Sequence, residues 1–459
     1  MEFKNAWKKY KDEALLNDLM KFNDEYIDFL SNNKTERECT NYSIEVAKQH
    51  GFKDISKFKS LKKGDKVYVT NKGKNILLFV IGEKKITEGL NILGAHIDSP
   101  RIDIKENPLY EAGGMALLDA HYYGGIIKYQ WVARMMAIHG VVCLKNGKTV
   151  NITIGEDEND PVFTITDLLI HLSGDKLERP ARLAVEGEKL DLTFASIPEF
   201  KEKDKKSIKN NVLLLLKNKY GFEEDDFISA ELEIVPQGKA RSLGIDSSMV
   251  IGYGHDDKVC AYTSLRAVLD ETNVERTSCA YLVDKEEVGS IGATGAHSEF
   301  FKNAVAELIY LQEGNYNELY LKRALTNSYM LSSDVSAGFD PLYPEAFEEK
   351  NSAFLGKGIT FNKYTGARGK SGYNDANPEF IAKIRKILDD EKIFFQTAEL
   401  GKVDRGGGGT IAYIMGNMNM NVIDAGIPVL SMHAPCEVVS KVDVYEAYLA
   451  YKAFIKNIK

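Results

Sequence analysis

The sequence predicts an α/β fold, in which a largely parallel β-sheet is covered by helices. Several short stretches, such as residues 90–97, are almost entirely apolar and then run into polar residues. Strands that are buried on both faces of a sheet have this pattern. Stretches with helical spacing lie between the candidate strands, and strands that alternate with helices along a chain are typical of parallel sheets.

The first elements are helices, and the strands begin after them. Leu15, Leu19, Phe22 and Tyr26 recur at helical spacing, which predicts amphipathic helices within residues 1–50. The same reasoning assigns the remaining elements. Strands are expected at 67–70, 75–82, 90–98, 277–283, 328–331 and 427–432, and helices at 257–270, 296–312, 377–390, 410–420 and 443–456.

Residues 101–240 interrupt this alternation. They contain a glycine-rich stretch and β-like segments such as residues 140–144 (GVVCL) and 150–155 (VNITIG). We therefore predict a mainly β insertion at residues 101–240. The α/β domain is then formed by residues 1–100 together with residues 241–459.

The composition argues against several classes of protein. The chain has 459 residues with 67 acidic and 59 basic side chains and a net charge of −8. Nucleic acid is therefore not expected as a partner, because binding phosphates needs a clustered excess of Lys and Arg. No apolar run approaches the roughly 20 residues of a membrane span, and the amino terminus lacks the apolar segment of a secretory signal. The five cysteines are far apart and form no C-x-x-C, which favours a reducing, cytoplasmic location.

Residues of the kind that bind metals follow four of the predicted strands. In open α/β sheets, sites form at the carboxyl ends of the strands, so these residues are expected to meet at one edge. A further polar cluster precedes the predicted helix at 257–270. The candidates are His96, Glu286, Glu287, Asp334 and His433 at the strand ends, and Asp256 and Asp257 before the helix.

Two pairs of neighbouring residues suggest how such a site would work. Residues two apart in a strand point the same way, so Asp98 is placed to accept a hydrogen bond from His96 and fix its tautomer. Glu286 and Glu287 are adjacent carboxylates that repel one another at the end of a buried strand, and a cation removes that penalty. One of them could ligate a metal while the other faces a bound water. For each pair alone, a structural role as a turn cap or an acidic loop stays open.

The whole set favours a two-metal site. One bridging Asp, two His and two further carboxylates are typical of two Zn²⁺-like ions that share a water. An all-oxygen set would favour Mg²⁺ or Ca²⁺, whereas imidazole ligands favour Zn²⁺, Co²⁺ or Mn²⁺.

A glycine-rich loop is a second candidate binding element. Residues 405–410 (RGGGGT) lie just before a predicted helix. Backbone N–H groups in such a place can hold a phosphate, but Gly407 and Gly408 are equally suited to a substrate carboxylate or backbone.

These motifs together resemble those of the aspartyl aminopeptidase/aminopeptidase I family of di-zinc exopeptidases. The matching stretches follow the family's order over nearly the whole chain. They are KTEREC (34–39), GAHIDSPR (94–101), YYGG (122–125), LLIHL (168–172), GHDDK (254–258), DKEEVGSIGATGA (284–296), SSDVSAGFDP (332–341) and SMHAPCE (431–437). The resemblance implies a three-layer α/β/α exopeptidase domain with an inserted dimerisation domain.

The resemblance also implies the ligands of two Zn²⁺ ions in each subunit. Asp256 would bridge the two ions. His96 and Asp334 would complete one metal site, and Glu287 and His433 would complete the other.

Three further residues acquire catalytic roles through the resemblance. Glu286 would be the general base, and Asp98 would orient His96. In the family, a histidine of the insertion domain reaches the active site of a neighbouring subunit within a dodecamer built from dimers, and His171 matches it. A direct metal-ligand role for His171 stays open.

The preferred substrate is not settled by the motifs. Family members that prefer acidic amino-terminal residues place a lysine shortly after a segment that matches residues 355–358, and Asn362 with the adjacent Lys363 stands there in this sequence. A preference for neutral residues such as Leu therefore stays as open as one for Asp or Glu. The candidate substrate contacts are His171, Lys357, Gly407 and Gly408.

The sequence thus predicts a cytoplasmic metallo-aminopeptidase that releases the amino-terminal residue of peptides. Two alternatives remain at this point. One is a metal-dependent deacylase of small amino-acid derivatives, and the other is a non-enzymatic scaffold that assembles with itself and holds a structural metal. The carboxylate-rich set disfavours the scaffold, because structural zinc sites are usually closed tetrahedra of Cys and His.

Overall fold

The computed structural model describes residues 3–200, 207–368 and 371–459. Within these ranges the α-helices are α1 (Glu13–Asn32), α2 (Glu36–Gln49), α3 (Gly174–Leu177), α4 (Ala181–Ala184), α5 (Ser207–Tyr220), α6 (His255–Asp270), α7 (Phe300–Glu313), α8 (Glu318–Thr326), α9 (Pro378–Asp390), α10 (Ala412–Gly416) and α11 (Lys441–Asn457). The strands are β1 (Lys53–Asp54), β2 (Lys66–Asn71), β3 (Asn75–Val80), β4 (Asn91–His96), β5 (Arg101–Ala112), β6 (Met115–Tyr123), β7 (Met136–Cys143), β8 (Thr149–Ile154), β9 (Leu192–Ala195), β10 (Ala230–Pro236), β11 (Arg241–Leu243), β12 (Met249–Gly252), β13 (Ser278–Val283), β14 (Tyr329–Ser332), β15 (Ser336–Ala337), β16 (Ile359–Asn362), β17 (Tyr364–Ala367), β18 (Ser371–Asp375), β19 (Phe395–Thr397), β20 (Asn421–Gly426), β21 (Pro428–Leu430) and β22 (Glu437–Ser440).

The chain divides into two compact units. The first unit consists of Met1–Ser99, Ala240–Met432 and Cys436–Lys459. The second unit consists of Pro100–Lys239 and His433–Pro435.

The first unit is built on a nine-stranded sheet in the order β1-β2-β3-β13-β4-β14-β20-β16-β19. Its centre is parallel, since β4 pairs in parallel with β13 on one side and with β14 on the other. β14 in turn pairs in parallel with β20. Parallel neighbours need a connection that crosses over a face of the sheet, and helices provide it here. The predicted α/β class is confirmed.

Both faces of this sheet are buried under helices. Along β3, Ile76 and Leu78 belong to one hydrophobic cluster, and Leu77 and Phe79 belong to another. This alternation follows from the two-residue period of a strand, whose successive side chains point to opposite faces. Apolar residues of α1, α6, α9 and α11 fill the first cluster, and those of α7, α8 and α10 fill the second. The result is the three-layer α/β/α arrangement that the family resemblance implied.

The amino-terminal helices begin at well-defined caps. The Asp12 carboxylate accepts the Ala14 N–H at 2.9 Å at the start of α1. At the start of α2, the Thr35 hydroxyl accepts the Glu38 N–H at 3.2 Å, while the Glu38 carboxylate accepts the Thr35 N–H at 3.0 Å. Such a capping box satisfies two N–H groups that have no partner inside the helix.

The second unit has a six-stranded antiparallel sheet in the order β8-β7-β10-β5-β6-β9. β7 and β10 pair over seven residues, from Met136 to Val142 on β7. Short helices and α5 accompany this sheet. Its strands β7 and β8 overlap the β-like segments at residues 140–144 and 150–155.

The structure differs from the predicted elements in three ways between residues 410 and 432. The apolar run before His433 forms β21, which pairs with β15 and β22 in a separate five-stranded sheet. The place beside β14 is taken by β20, a strand that the apolar pattern does not predict. The helix expected at 410–420 is confined to Ala412–Gly416, because the glycines before it and the turn after it do not continue its hydrogen bonding.

Within the described ranges, none of the helices combines the length and the apolar character needed to cross a membrane.

Candidate metal centre

Three adjacent parallel strands bring the candidate ligands to one edge of the sheet. His96 is the last residue of β4 and lies opposite Val283, the last residue of β13. Glu286 begins a 3-10 turn just after β13, and Asp334 follows two residues after β14. The carboxyl ends of neighbouring parallel strands meet at the same edge, so residues far apart in sequence come together here.

His96 lies at the centre of the cluster. Its Nε2 is 3.2 Å from Oδ1 of Asp256 and 3.9 Å from Oε2 of Glu286. Its Nδ1 faces Asp98, at 2.9 Å from the backbone carbonyl oxygen and 3.3 Å from carboxylate Oδ1. A histidine whose Nδ1–H is held in this way presents Nε2 as a ligand.

Asp98 also organises the glutamate pair. Its Oδ1 accepts the Glu286 N–H and its Oδ2 accepts the Glu287 N–H, both at 3.2 Å. The carboxylate therefore ties the end of β4 to the turn after β13. A single buried side chain sets the positions of His96 and of both glutamates.

The start of α6 delivers Asp256 and Asp257. Asp256 donates its backbone N–H to Oε2 of Glu437 at 3.0 Å, and the peptide bond between the two aspartates is cis. Oδ2 of Asp257 accepts the His96 N–H at 3.2 Å. The residue before the helix is Gly254 with φ 80°, and a Cβ there would lie 2.6 Å from Nζ of Lys258. Glycine is therefore the residue that fits this place.

Several groups of His and acidic side chains lie close enough to share an ion. In each group the ligand atoms are within 4.8 Å of one another. In the first unit these groups are His96 with Asp256 and Glu287, His96 with Glu286 and Asp334, and Asp256 with Asp257 and Asp334. The structure thus brings together six of the residues singled out at the strand ends and before the helix.

The electrostatics of this cluster call for positive charge. Burial, reinforced by the neighbouring Asp257, raises the pKa of Asp334 well above its ordinary value. Burial likewise raises the pKa of Asp257. Burial alone would lower the pKa of His96, but hydrogen bonds to Asp256 and Asp98 outweigh it and raise that pKa. Buried carboxylates that resist ionisation become favourable when a cation neutralises them.

The donor set fits zinc. Imidazole nitrogen and carboxylate oxygen are both zinc ligands, and Asp98 supplies the partner that a ligating imidazole usually has. The four carboxylates grouped with this one imidazole are more numerous than a single tetrahedral ion needs. The residues that are present therefore fit a zinc centre.

His433 belongs to the second unit. It is half-buried with φ 64°, and its Nδ1 donates to the Gly125 carbonyl oxygen at 2.7 Å. That hydrogen bond holds the ring through Nδ1, as the carbonyl oxygen of Asp98 does at His96. A Cβ on Gly125 would lie 3.5 Å from Nδ1 of His433, so a small residue is needed at position 125.

His171 also lies in the second unit, on an exposed 3-10 turn at Ile170–Leu172. Large apolar side chains surround it in the sequence. Leu169 is 53% exposed, and Ile170 and Leu172 are each 67% exposed. Apolar surface of this kind is typical of a contact with another protein surface.

Lys357 stands in a loop before β16 that is fixed by a buried acid. Asp443 on α11 accepts the N–H groups of Gly356 and Gly358, each at 2.7 Å. The ammonium group of Lys357 lies 4.6 Å from the centre of the Phe354 ring. β16 is antiparallel to β20, so this loop leaves the sheet at the edge where β20 ends.

The glycine-rich loop is held against the β17–β18 hairpin. The Gly408 carbonyl oxygen accepts the Gly366 N–H at 2.8 Å. A Cβ on Gly407, which has φ 123°, would lie 2.7 Å from the Gly366 oxygen. The buried Asp424 of β20 accepts the Thr410 hydroxyl at 2.6 Å and the Thr365 hydroxyl at 3.0 Å. One acid thus anchors both the loop and the hairpin.

Sequence reasoning missed Glu437 and Asp424 as organising residues. Glu437 lies within the motif SMHAPCE, but its hydrogen bond to the Asp256 N–H depends on the pairing of β12 with β22. Asp424 interrupts an apolar strand, and a buried acid in such a place is a signal that could have been used.

Comparison with known proteins agrees with this geometry. The family described as aminopeptidase I zinc metalloprotease (M18) matches residues 29–455. A curated relative, the probable M18 family aminopeptidase 1 of Clostridium acetobutylicum, is 55% identical over 99% of this chain and 98% of its own length. The crystal structure of an M18 aminopeptidase from Thermotoga maritima covers 100% of both chains with a TM-score of 0.96 and 40% identity. A solved mApe1 dodecamer from S. cerevisiae, 20% identical, covers 95% of this chain and 96% of its own with a TM-score of 0.76 and shares the fold.

Proposed function

The chain belongs to the M18 family of zinc aminopeptidases, and from that premise we propose how its residues divide the work of peptide hydrolysis. The protein is a zinc-dependent hydrolase that removes amino-terminal residues from peptides. The comparisons do not favour the deacylase or the scaffold. The observation that carries the residue assignments is the buried cluster around His96 at the ends of β4, β13 and β14.

We assign five residues to two zinc ions. Asp256 would be shared by both ions, His96 and Asp334 would hold one ion, and Glu287 and His433 would hold the other. The distance of 3.2 Å between Nε2 of His96 and Oδ1 of Asp256 supports a shared ion for these two side chains. When bound, zinc supplies a water of lowered pKa and a Lewis acid for the scissile carbonyl.

Glu286 is the proton carrier in this proposal. Its carboxylate takes the proton from the attacking water and returns it to the nitrogen of the leaving peptide. The Asp98 carboxylate accepts the Glu286 N–H and thereby fixes the backbone from which the Glu286 side chain extends. The side chain of Glu286 is 16% exposed, so it is accessible to a substrate while remaining partly shielded from bulk water.

The substrate contacts are proposed for His171, Lys357, Gly407 and Gly408. The fixed backbones around Lys357 and Gly407 support a role in which rigid loops present a cation and N–H groups to the peptide. Lys357 would favour an acidic amino-terminal residue. Neutral residues such as Leu remain the alternative, since Asn362 replaces the lysine that the acid-specific members place there.

We further propose that residues 101–240 form a dimerisation domain and that the subunits assemble as a dodecamer. The exposed apolar side chains around His171 support an interface there. The dodecamer of the yeast neighbour, which shares the fold, is the precedent for the number. A cytoplasmic location stays a prediction from the wide spacing of the five cysteines.

A substrate panel tests the chemistry. The purified protein is loaded with Zn²⁺, Co²⁺ or Mn²⁺ and given p-nitroanilides of Asp, Glu, Leu and Ala, with N-acetyl-Leu-p-nitroanilide as the blocked control. Release from free amines only is expected. Glu286→Gln should keep its zinc and lose about 10²- to 10⁴-fold in kcat, whereas Glu287→Gln should lose zinc. Full activity of Glu286→Gln would remove that residue from the proposal.

Subunit complementation tests the role of His171. His171→Ala and Glu286→Gln should each be inactive alone. If His171 acts on a neighbouring subunit, mixed assemblies regain activity, because a Glu286→Gln subunit supplies His171 to an intact Glu286. Mass photometry of Ile170→Glu should show smaller assemblies. The mixture should be measured under conditions where subunits exchange. If it is then as inactive as each variant alone, His171 acts in the site of its own subunit.

A further inference from the structure

The backbone carbonyl of Asp256 is held by a serine from a distant part of the chain. Oγ of Ser99 donates its hydrogen to the Asp256 carbonyl oxygen at 2.7 Å, across 157 positions of the sequence. Ser99 lies just beyond His96, the last residue of β4, and both Ser99 and Asp256 are buried. The contact therefore ties the end of β4 to the first turn of α6.

A buried lysine holds the same hydroxyl from the other side. Nζ of Lys258 donates to Oγ of Ser99 at 2.6 Å and lies 5.2 Å from the centre of the Tyr253 ring. Lys258 is 0% exposed, and a lysine is almost never fully buried unless it is paired. A Cβ on Gly254 would lie 2.6 Å from Nζ and 2.9 Å from Oγ, so the backbone before α6 closes over the pair.

These two hydrogen bonds fix the direction of the Ser99 hydroxyl. A hydroxyl has one hydrogen and two acceptor positions. Because Nζ of Lys258 occupies one acceptor position, the hydroxyl hydrogen cannot point at the lysine and is directed at the Asp256 oxygen. The contacts thus run from Lys258 through Ser99 to the backbone of Asp256.

Asp256 is thereby fixed on both sides of its Cα. Its N–H donates to Oε2 of Glu437 at 3.0 Å, and its carbonyl oxygen accepts from Ser99. The side chain that leaves this backbone places Oδ1 3.2 Å from Nε2 of His96. With both flanking peptide groups held, only the side-chain torsions of Asp256 are left to be set by the groups that its carboxylate contacts.

We propose that Ser99 and Lys258 are positioning residues for Asp256, with Lys258 directing the Ser99 hydroxyl to the carbonyl oxygen that it holds. This inference rests on the role of Asp256 as the shared zinc ligand in the proposed function. Neither Ser99 nor Lys258 is among the proposed ligands or substrate contacts, so both act through the backbone of Asp256. A ligand whose backbone is already fixed loses less conformational freedom when the ion binds, and its affinity for the ion is higher.

The first measurement is the zinc affinity of the folded protein, by competition against a chromophoric chelator. Ser99→Ala removes the hydroxyl and should weaken Zn²⁺ binding by about tenfold, because loss of an outer partner of a ligand costs about 10- to 100-fold in metal affinity. The matched control is Ser43→Ala, since Ser43 is also buried and its hydroxyl donates to a backbone carbonyl oxygen, that of Cys39 on α2, at 2.7 Å. The control should bind zinc as tightly as the wild-type protein.

Lys258→Met supplies the second test, because methionine keeps most of the side-chain length and has no hydrogen to donate. This variant should also weaken zinc binding. The double variant of Ser99→Ala and Lys258→Met should bind zinc no more weakly than Ser99→Ala alone, because both act through one hydroxyl. The matched control is Lys441→Met, since Nζ of Lys441 also donates to a serine hydroxyl, that of Ser242, at 2.9 Å.

The thermal midpoint of the zinc-free protein separates positioning from packing. If Ser99→Ala lowers that midpoint and keeps wild-type zinc affinity, the hydroxyl has a structural role only and the inference is overturned. Additive losses of zinc affinity in the double variant would overturn it as well.

Asp256→Asn, measured beside these variants, distinguishes this inference from the proposed function. If Asp256→Asn loses zinc while Ser99→Ala binds it as the wild type does, only the inference fails. If Asp256→Asn itself binds zinc as tightly as the wild-type protein, the proposed ligand set fails and the inference fails with it.

Discussion

Replacing Asp98 by asparagine tests whether one carboxylate organises the metal centre. The Asp98 oxygens accept the N–H groups of Glu286 and Glu287 separately, each at 3.2 Å, and Oδ1 is 3.3 Å from Nδ1 of His96. The side-chain amide of the Asp98→Asn variant has one acceptor oxygen, and its NH₂ group would face a backbone N–H. Side-chain volume is nearly unchanged, so the fold should survive.

The expected loss of zinc affinity in Asp98→Asn follows from the hydrogen bonds that the substitution removes. A hydrogen bond to a charged group contributes about 1.5–3 kcal/mol, and the substitution removes one such acceptor and leaves a donor facing a donor. Loss of an outer partner of a ligating histidine costs about 10- to 100-fold in metal affinity. At about 1.4 kcal/mol for each factor of ten, that range corresponds to about 1.4–2.7 kcal/mol. The two estimates agree.

The assay is competition for Zn²⁺ against a chromophoric chelator, with kcat measured at saturating zinc. A matched control is Asp54→Asn, because Asp54 also accepts a backbone N–H, from Ser56 at 2.9 Å, but on an exposed turn. We expect the Asp54→Asn control to bind Zn²⁺ with the same affinity as the wild-type protein. Zinc affinity within twofold of wild type in Asp98→Asn would refute the argument that this carboxylate holds the site together.

Three further predictions concern the loops and the sheet edge. Gly407→Ala should lower the thermal midpoint, because its Cβ would lie 2.7 Å from the Gly366 oxygen, whereas Gly408→Ala, with nothing within 4 Å, should keep the wild-type midpoint. An equal fall of the midpoint in both variants would refute the steric argument. Lys357→Ala should raise the KM for Glu-p-nitroanilide by about tenfold, because one charge-assisted contact is lost, and should leave the KM for Leu-p-nitroanilide unchanged. Equal changes of KM for the two substrates would show that Lys357 does not select the substrate. Burial raises the pKa of Asp424 to about 6, so the folded protein holds that proton more tightly than the unfolded chain. This stabilisation is complete only well below pH 4 and is lost as the pH rises through about 6. Denaturant titrations should therefore show that the unfolding free energy of the wild type, measured relative to Asp424→Asn, falls by roughly 2.4 kcal/mol between pH 4 and pH 7. A difference independent of pH would contradict the raised pKa.

The α/β class and the clustering of most candidate ligands could be predicted from the sequence. The apolar run before His96 and the polar residues that end it are visible without coordinates, because a strand buried on both faces needs apolar side chains on both sides. Parallel strands then place Glu286 and Asp334 at the same edge. Periodicity and the carboxyl-end rule are sufficient for this part.

The remaining part of the fold depends on strand pairings that the spacing of apolar residues does not predict. The run before His433 is as apolar as the others, and nothing in its composition assigns it to the smaller sheet with β15. β20 was missed because Asp424 and Gly426 break its pattern. A Cβ on Gly426 would lie 1.7 Å from the Asp334 carbonyl oxygen, so the close approach of two backbones requires a residue that weakens the strand signal.

The role of Asp98 was only half predicted. Its spacing from His96 indicates a contact with the imidazole, and that contact is present in the structure. The Asp98 carboxylate also accepts the N–H groups of Glu286 and Glu287, which lie 188 and 189 positions further along the chain. Contacts of that range follow from strand order alone, which a single sequence does not reveal.

The hydrogen bond between the Asp256 N–H and Glu437 makes the start of α6 depend on the carboxyl-terminal part of the chain. Glu437 lies on β22, directly before α11, and β22 must pair with β12 for the carboxylate to reach Asp256. The two residues are 181 positions apart, so a chain that ends before β22 lacks this contact. We therefore expect truncation before Glu437 to loosen the backbone of Asp256 even though every candidate ligand is still present.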